Sequence, residues 1–214
     1  MEWSFKKELA RKFIHFLSLF VLFIYFWISD VFNADIALTI LVFILILSLL
    51  LEYIRLEVSE NIPLIGRLWS YVRRDKEKNS LGGEVYFLIG SIIVLAVFDL
   101  RIAVAAILMT IFGDMSAALI GRKFGKHYIS FLEEKAWEGI LAQFFVNIFI
   151  GIFVFFILPG SSFLILSFWI VILVMSLTAT VTETLSTKID DNLLIPIFAG
   201  FDGYITLIIL NILL

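Results

Sequence analysis

The stretch DIALTILVFILILSLLLEYI, Asp35–Ile54, decides the medium in which this chain folds. No charged side chain lies between Asp35 and Glu52, and a helix needs about 20 mostly apolar residues to cross a bilayer. The rest of the chain follows suit. Of 214 residues 62% are hydrophobic and 16% charged, whereas a soluble domain is about 45–50% apolar and about 25% charged. Mean hydropathy is +1.07, and Phe alone occurs 23 times. Cysteine is absent, which excludes a disulfide framework, a thiol nucleophile and a Cys-ligated metal. The net charge of −3 decides little, because its distribution matters more than its sum. The first apolar run lacks an A-x-A-like exit and reads as a retained helix, not a cleaved signal.

Working outward from Asp35–Ile54, six further apolar stretches fall near Phe13–Ile28, Glu84–Phe98, Arg101–Gly121, Glu138–Leu158, Phe163–Val181 and Asn192–Leu214. The expected fold class is therefore all-α, a polytopic membrane protein of about seven spans forming one domain over residues 1–214. Charge provides an independent check, since Lys and Arg concentrate in cytoplasmic loops. Lys6, Lys7, Arg11 and Lys12 precede the first span, six basic residues from Arg55 to Lys78 follow the second, Arg122, Lys123, Lys126 and Lys135 follow the fourth, and Lys188 follows the sixth. Of the 16 Lys and Arg only Arg101 falls on the other side. The N-terminus is thus expected in the cytoplasm and the C-terminus opposite, in a plasma- or endoplasmic-reticulum-type membrane.

The long second connection carries a further pattern. Pro63 follows Asn61-Ile62 as a helix start, and Ile65, Leu68, Trp69 and Val72 recur at helical spacing beside Arg67, Arg73 and Arg74. Such a segment either lies in the membrane interface or packs on the protein as a surface helix.

Polar chemistry gathers at the cytoplasmic ends. Gly113, Ala117 and Gly121 form a small-residue face suited to close helix approach, and Asp114, Ala118 and Arg122 form the adjacent stripe. An acid inside a membrane helix is expensive and faces a cavity or a partner. Beyond it lie Gly121, Gly125 and the cations Arg122, Lys123, Lys126 and Lys135, then Glu138-Gly139. Glycines admit close backbone approach, and basic side chains neutralise phosphate oxygens. Hard Mg²⁺ is held by one or two carboxylates plus the phosphates themselves. A metal-bound polyphosphate suits this arrangement; the alternative is a topological charge cluster with Asp114 paired to Arg122.

A second constellation joins the sixth and seventh spans. If the helix persists, Thr180, Glu183, Thr187 and Asp190 or Asp191 share a face of oxygen ligands; otherwise the connection is solvated and Asp191 or Asn192 caps the last helix. Asp202, between Gly200 and Gly203, sits near the bilayer middle. It requires a broken helix, a cavity or a structural partner. A third constellation places Glu8, Arg11, Lys12 and His15 on one stripe entering the first span, either facing a polar site or snorkelling to the interface. Glu84, after Gly82-Gly83, joins the cluster or caps the third helix. Nothing matches a P-loop, a metalloprotease or a Ser-His-Asp arrangement.

These pieces, in order, resemble the CTP-dependent lipid kinases typified by dolichol kinase, with phytol kinase and the fungal-type diacylglycerol kinase as relatives. The matching residues are Glu8…Arg11-Lys12…His15, Gly113-Asp114…Ala117-Ala118…Gly121-Arg122…Gly125, Lys135…Glu138-Gly139 and Glu183…Asp191-Asn192…Pro196. The central element is similar also to CDP-diglyceride synthases, as are Lys135-Ala136-Trp137-Glu138-Gly139 and, faintly, Pro196…Gly200-Phe201-Asp202-Gly203.

The resemblance implies CTP as phosphate donor with Mg²⁺, and a membrane lipid alcohol, dolichol- or polyprenol-type, as acceptor. The phosphates would rest on Gly121, Arg122, Lys123, Gly125, Lys126, Lys135 and Gly139. Metal ligands would be Asp114, Glu138, Glu183 and Asp191, with Asp114, Glu183 and Glu138 as catalytic groups and Asp114 foremost as base. Asn192, Asp202, Glu84 and the Glu8–His15 stripe remain further candidates. Two other classes are consistent with the residues. One is a cytidylyltransferase making a CDP-lipid; the other is a small ion-coupled transporter using Asp114 and Asp202.

Overall fold

A computed structural model describes residues 16–58, 80–129, 132–158, 165–186 and 189–213. The N-terminal stripe Glu8, Arg11, Lys12 and His15, the Pro63–Val72 segment, Thr187 and Lys188 lie outside the described residues. The protein is an all-α polytopic membrane protein. Its helices are α1 (Leu19–Val31), α2 (Ala34–Val58), α3 (Gly83–Val97), α4 (Leu100–Leu108), α5 (Asp114–Phe124), α6 (Trp137–Ile157), α7 (Ile165–Leu185) and α8 (Asp191–Leu213). A π-helical turn, Met109–Gly113, joins α4 to α5, so the two make one continuous span from Leu100 to Phe124. Among the described residues, five helices are long and apolar enough to cross a membrane, and α1 and α3 are shorter apolar helices. Each expected span thus corresponds to one helix, with ends displaced by a few residues.

The chain divides into two compact units, residues 1–89 and 90–214, with the boundary inside α3. In the first unit α1 turns tightly into α2, where the Asn33 side chain accepts a hydrogen bond from the Ile36 backbone N–H (2.8 Å) and caps the helix. The far end of α2 carries a buried ion pair, Arg55 Nη2 to Glu52 Oε2 at 2.9 Å. Glu52 also accepts from the Gly82 N–H (3.0 Å), and Arg55 donates to the Ser80 carbonyl (2.7 Å). Both charges are fully engaged, as burial demands. They tie the chain just before α3 to the end of α2.

The second unit is built around the Leu100–Phe124 span. Its apolar window is 61% buried, against 33–39% for the spans over α6, α7 and α8, which makes it the central element. Here α5 packs on α6, α6 on α7, α7 on α8, and α4 on both α8 and α6. The small-residue face behaves as its spacing suggests. A Cβ on Gly139 would stand 2.7 Å from the Ala117 carbonyl oxygen and 3.0 Å from Gly121 Cα, and one on Gly113 would stand 2.6 Å from Asn147 Oδ1. α5 and α6 therefore touch backbone to backbone.

Arg101, the lone basic residue at the other end of the bundle, is buried beside Asp99. The Asp99 carboxylate caps α4 by accepting from the Arg101 N–H (3.0 Å) and also accepts from its Nε (3.3 Å). The guanidinium stands 5.6 Å from the centre of the Phe155 ring.

A short antiparallel hairpin, β1 (Tyr128–Ile129) and β2 (Leu132–Ala136), links α5 to α6. It is an element that apolar periodicity does not announce. Of the three alternatives for Asp202, a broken helix is excluded, since α8 runs without interruption from Asp191 to Leu213, and a structural partner is found. Asp202 accepts a 2.6 Å hydrogen bond from Thr178 Oγ1 on α7.

The close crossing yields a direct test. Gly139→Val should lower the stability of the detergent-solubilised protein by about 1–3 kcal/mol, read as an earlier thermal unfolding midpoint. Leu141→Val, at an exposed position of the same helix, should shift it far less.

Candidate active site

Three carboxylates from three helices converge at one end of the second unit. Asp114 opens α5 directly after the π turn, Glu183 lies in the last turn of α7, and Asp191 is the first residue of α8. One oxygen from each lies within 4.8 Å of the others. A single π turn inserts an extra residue into the helical repeat, so it sets the direction in which Asp114 leaves the span.

The sharp end of α7 supplies the second acid. α7 does not persist through Asp190 as one face; it ends at Leu185, and α8 starts afresh at Asp191. Capping of that start corrects the sequence expectation. Asp190, rather than Asp191 or Asn192, is the cap, its Oδ1 accepting from the Asn192 N–H (3.0 Å) and from Asn192 Nδ2 (2.9 Å). Two adjacent aspartates thus divide the work: one holds the helix terminus and the other faces the cluster.

Lys135, from β2, reaches the site. Its Nζ donates to Glu183 Oε1 (2.9 Å) and to the Glu183 carbonyl oxygen (2.7 Å). Carbonyls in the last turn of a helix lack intrahelical partners and attract cations, so the ammonium satisfies two needs at once. The other carboxylate oxygen of Glu183, Oε2, is buried and accepts no hydrogen bond from the described residues.

Three like charges at such separations repel, and an opposite charge is what keeps neighbouring carboxylates ionised. A hard divalent cation matches this donor set. The three oxygens lie within 4.8 Å of one another, and a small hard cation such as Mg²⁺ would draw them closer on binding. The bare Glu183 Oε2 is a ready ligand position.

Other candidates are placed differently. Glu138, in the first turn of α6, is engaged by His127: Nδ1 stands 2.7 Å from Oε1, and the His127 N–H donates to Oε2 at 3.4 Å. The Trp137 N–H closes the same corner on the His127 carbonyl (3.0 Å). Glu138 therefore latches the hairpin to α6 and is not one of the three clustered acids. Gly121 and Gly139 meet across the helix crossing, and a Cβ on Gly125 would collide with the Gly121 carbonyl oxygen and Ala136. Arg122 and Lys123, on the last turn of α5, and Lys126 beyond it are exposed. Lys123 lies 5.2 Å from the Phe124 ring centre. Glu84 is exposed in the first turn of α3 and belongs to the first unit.

Sequence reasoning passed over His127, which no spacing rule connects to Glu138. It also passed over Gln143 and Asn147, uncharged amides inside an apolar run. Both are fully buried.

Among known proteins, phytol kinase 1 of Arabidopsis thaliana is 28% identical over 212 residues, covering 94% of this chain and 67% of its own. The CTP-dependent diacylglycerol kinase 1 of Schizosaccharomyces pombe is 36% identical over 93 residues, 42% of this chain and 43% of its own. A dolichol kinase of the same yeast is 32% identical over 142 residues, 61% of this chain and 26% of its own. The chain thus spans between about a quarter and two thirds of the length of these relatives. No family model and no solved structure matches it.

The division between the two aspartates can be read by titrating Mn²⁺ in place of Mg²⁺. Asp191→Asn should weaken binding at least about tenfold, since even residues that only orient metal ligands are worth that much. Asp190→Asn keeps a capping side chain and should bind as the wild type does.

Proposed function

We propose that this chain, a relative of the CTP-dependent lipid kinases, transfers the γ-phosphoryl group of CTP to the hydroxyl of a membrane lipid alcohol. The observation that carries the reading is the convergence of Asp114, Glu183 and Asp191, with Lys135 against them, at one end of a bundle of apolar helices. A charged donor needs that polar site, and an acceptor with a long apolar tail needs the bilayer around it.

Phosphoryl transfer is driven mostly by positioning and charge neutralisation. Asp114, Glu183 and Asp191 would hold a divalent cation, which when bound neutralises the donor's phosphates. Lys135, fixed by Glu183 and by the hairpin that Glu138 and His127 latch, would contact a phosphate oxygen. Arg122, Lys123 and Lys126, exposed at the end of α5 and just beyond it, would draw CTP in from the cytoplasm. The acceptor oxygen attacks the γ-phosphorus, the bond to the β-phosphate oxygen breaks, and CDP leaves. The hydroxyl proton passes to a carboxylate, Asp114 in our assignment. An isoprenoid alcohol, of the phytol or dolichol/polyprenol type, is the preferred acceptor. The alignment to a phytol kinase covers 94% of the chain, and a dolichol kinase is a further relative.

Purified protein with Mg²⁺, a panel of lipid alcohols and phosphatidic acid, and CTP labelled on the γ- or the α-phosphate tests this. Movement of the γ label into an organic-soluble product is expected. Transfer of the α label alone would establish a cytidylyltransferase, and transfer of neither would overturn enzymatic use of CTP. Asp114→Asn should lower turnover by about 10²-fold or more with the protein still folded, and chelation of divalent cations should abolish it.

A further inference from the structure

Four buried polar atoms on α6 and α7, the helices that flank or carry the carboxylate cluster, have no hydrogen-bond partner among the described residues. They are both amide atoms of Gln143, the Oδ1 of Asn147 and the Oγ of Ser176. All three residues are fully buried. Geometry ties them to the site. Asn147 Oδ1 fills the space beside Gly113, the residue before Asp114. Its Nδ2 donates to Thr180 Oγ1 (3.3 Å), and Thr180 lies one turn before Glu183 on α7. Gly151 of α6 packs on Ile172 of α7, a register that sets Ser176 and Thr180 level with Asn147 and Gln143. Counting along α6 from Trp137 at about 1.5 Å per residue, Gln143 lies about 9 Å and Asn147 about 15 Å into the helix.

A buried donor or acceptor without a partner is costly, and apolar side chains would pack here without that cost. Such groups call for an explanation, whether strain, a catalytic role, or a water or ligand between them. An anion is poorly suited, because no cation is among them. Water and a hydroxyl can each donate and accept here, and either needs the packing to open, since these side chains leave no exposed surface. A hydroxyl on an apolar chain differs in that its tail belongs in the lipid.

We propose that Gln143, with Asn147 and Ser176, binds the hydroxyl of the lipid acceptor and presents it to the carboxylates from the membrane side. This rests on the lipid-kinase reading for its biological sense, but the binding itself is testable without turnover. Admitting the hydroxyl requires the side-chain packing around Gln143 to rearrange, and the amides then gain the partners they lack.

Gln143→Leu is the informative variant, because neither amide atom has a hydrogen bond to lose. The probes are phytol and the hydrocarbon of the same skeleton without its hydroxyl, titrated into detergent-solubilised protein while the thermal unfolding midpoint is followed. Phytol should stabilise the wild type beyond the hydrocarbon, and Gln143→Leu should lose that difference while remaining folded. In turnover, KM for the alcohol should rise at least about tenfold and KM for CTP should hold. A variant that keeps the full hydroxyl-dependent shift would overturn the proposal and reduce the amides to packing or internal hydration. So would a wild type that does not distinguish the two probes. Ser176→Ala, a smaller change with the same expected direction, serves if Gln143→Leu does not fold. A hydroxyl-dependent shift without γ-label transfer would sink the kinase reading and leave this site standing; transfer unaffected by Gln143→Leu would do the reverse.

Discussion

The contact on which the second unit depends is that of Gly139 on α6 with the Ala117 carbonyl and Gly121 of α5. Lipid tails offer helices no hydrophobic reason to associate, so close van der Waals approach through small residues has to supply it. Because the two backbones touch, the connection between them is short and folds back as a hairpin. That hairpin carries Lys135 across to α7. The same approach leaves room at Gly113 for one polar side chain, Asn147, and for nothing larger. The position of the cation and the position of the amides follow from one crossing.

The carboxylate cluster is held together by terminations rather than by a single helix face. Asp114 follows a π turn, Glu183 stands in the last turn of α7 and Asp191 opens α8. Helix ends are where backbone groups lack partners, so capping by Asp190 and by Lys135 is part of building the site. Acidic groups clustered in this way take up either protons or positive charge. One such charge, Lys135, is permanent; a divalent ion matches the rest of the demand.

Much of this was legible in residues alone, and the remainder had physical reasons to be hidden. Spans announce themselves because each must be apolar over its length, and the lone Arg101 among 16 basic residues checked their number. The Gly113-Ala117-Gly121 spacing correctly marked a close approach. Asp114, Glu183 and Asp191 stood out because ionised side chains are rare in such a chain, yet nothing in spacing separates Asp190 from Asp191: adjacent residues differ only in where the helix starts. The hairpin is two and five residues long, too short for any period to register, and its latch between His127 and Glu138 spans eleven positions without a pattern. Gln143 and Asn147 were overlooked because amides carry no charge, although a membrane interior penalises them in the same manner.

The anchor at the opposite end has a further meaning. Arg101, paired with Asp99 and set against Phe155, belongs near a water boundary, and Asp114 lies thirteen residues along the same span, about 20 Å away at about 1.5 Å per residue. With Arg101 at one boundary of a hydrocarbon layer of about 30 Å, the acid would lie below the opposite surface, within the depth of the acyl chains. Polar head groups float at a height set by the lipid, whereas this acid is held at a height set by the protein. For the lipid acceptor proposed above, bilayer thickness would therefore govern how far its head must sink to meet this acid: a thin membrane would bring the two level, and a thick one would separate them.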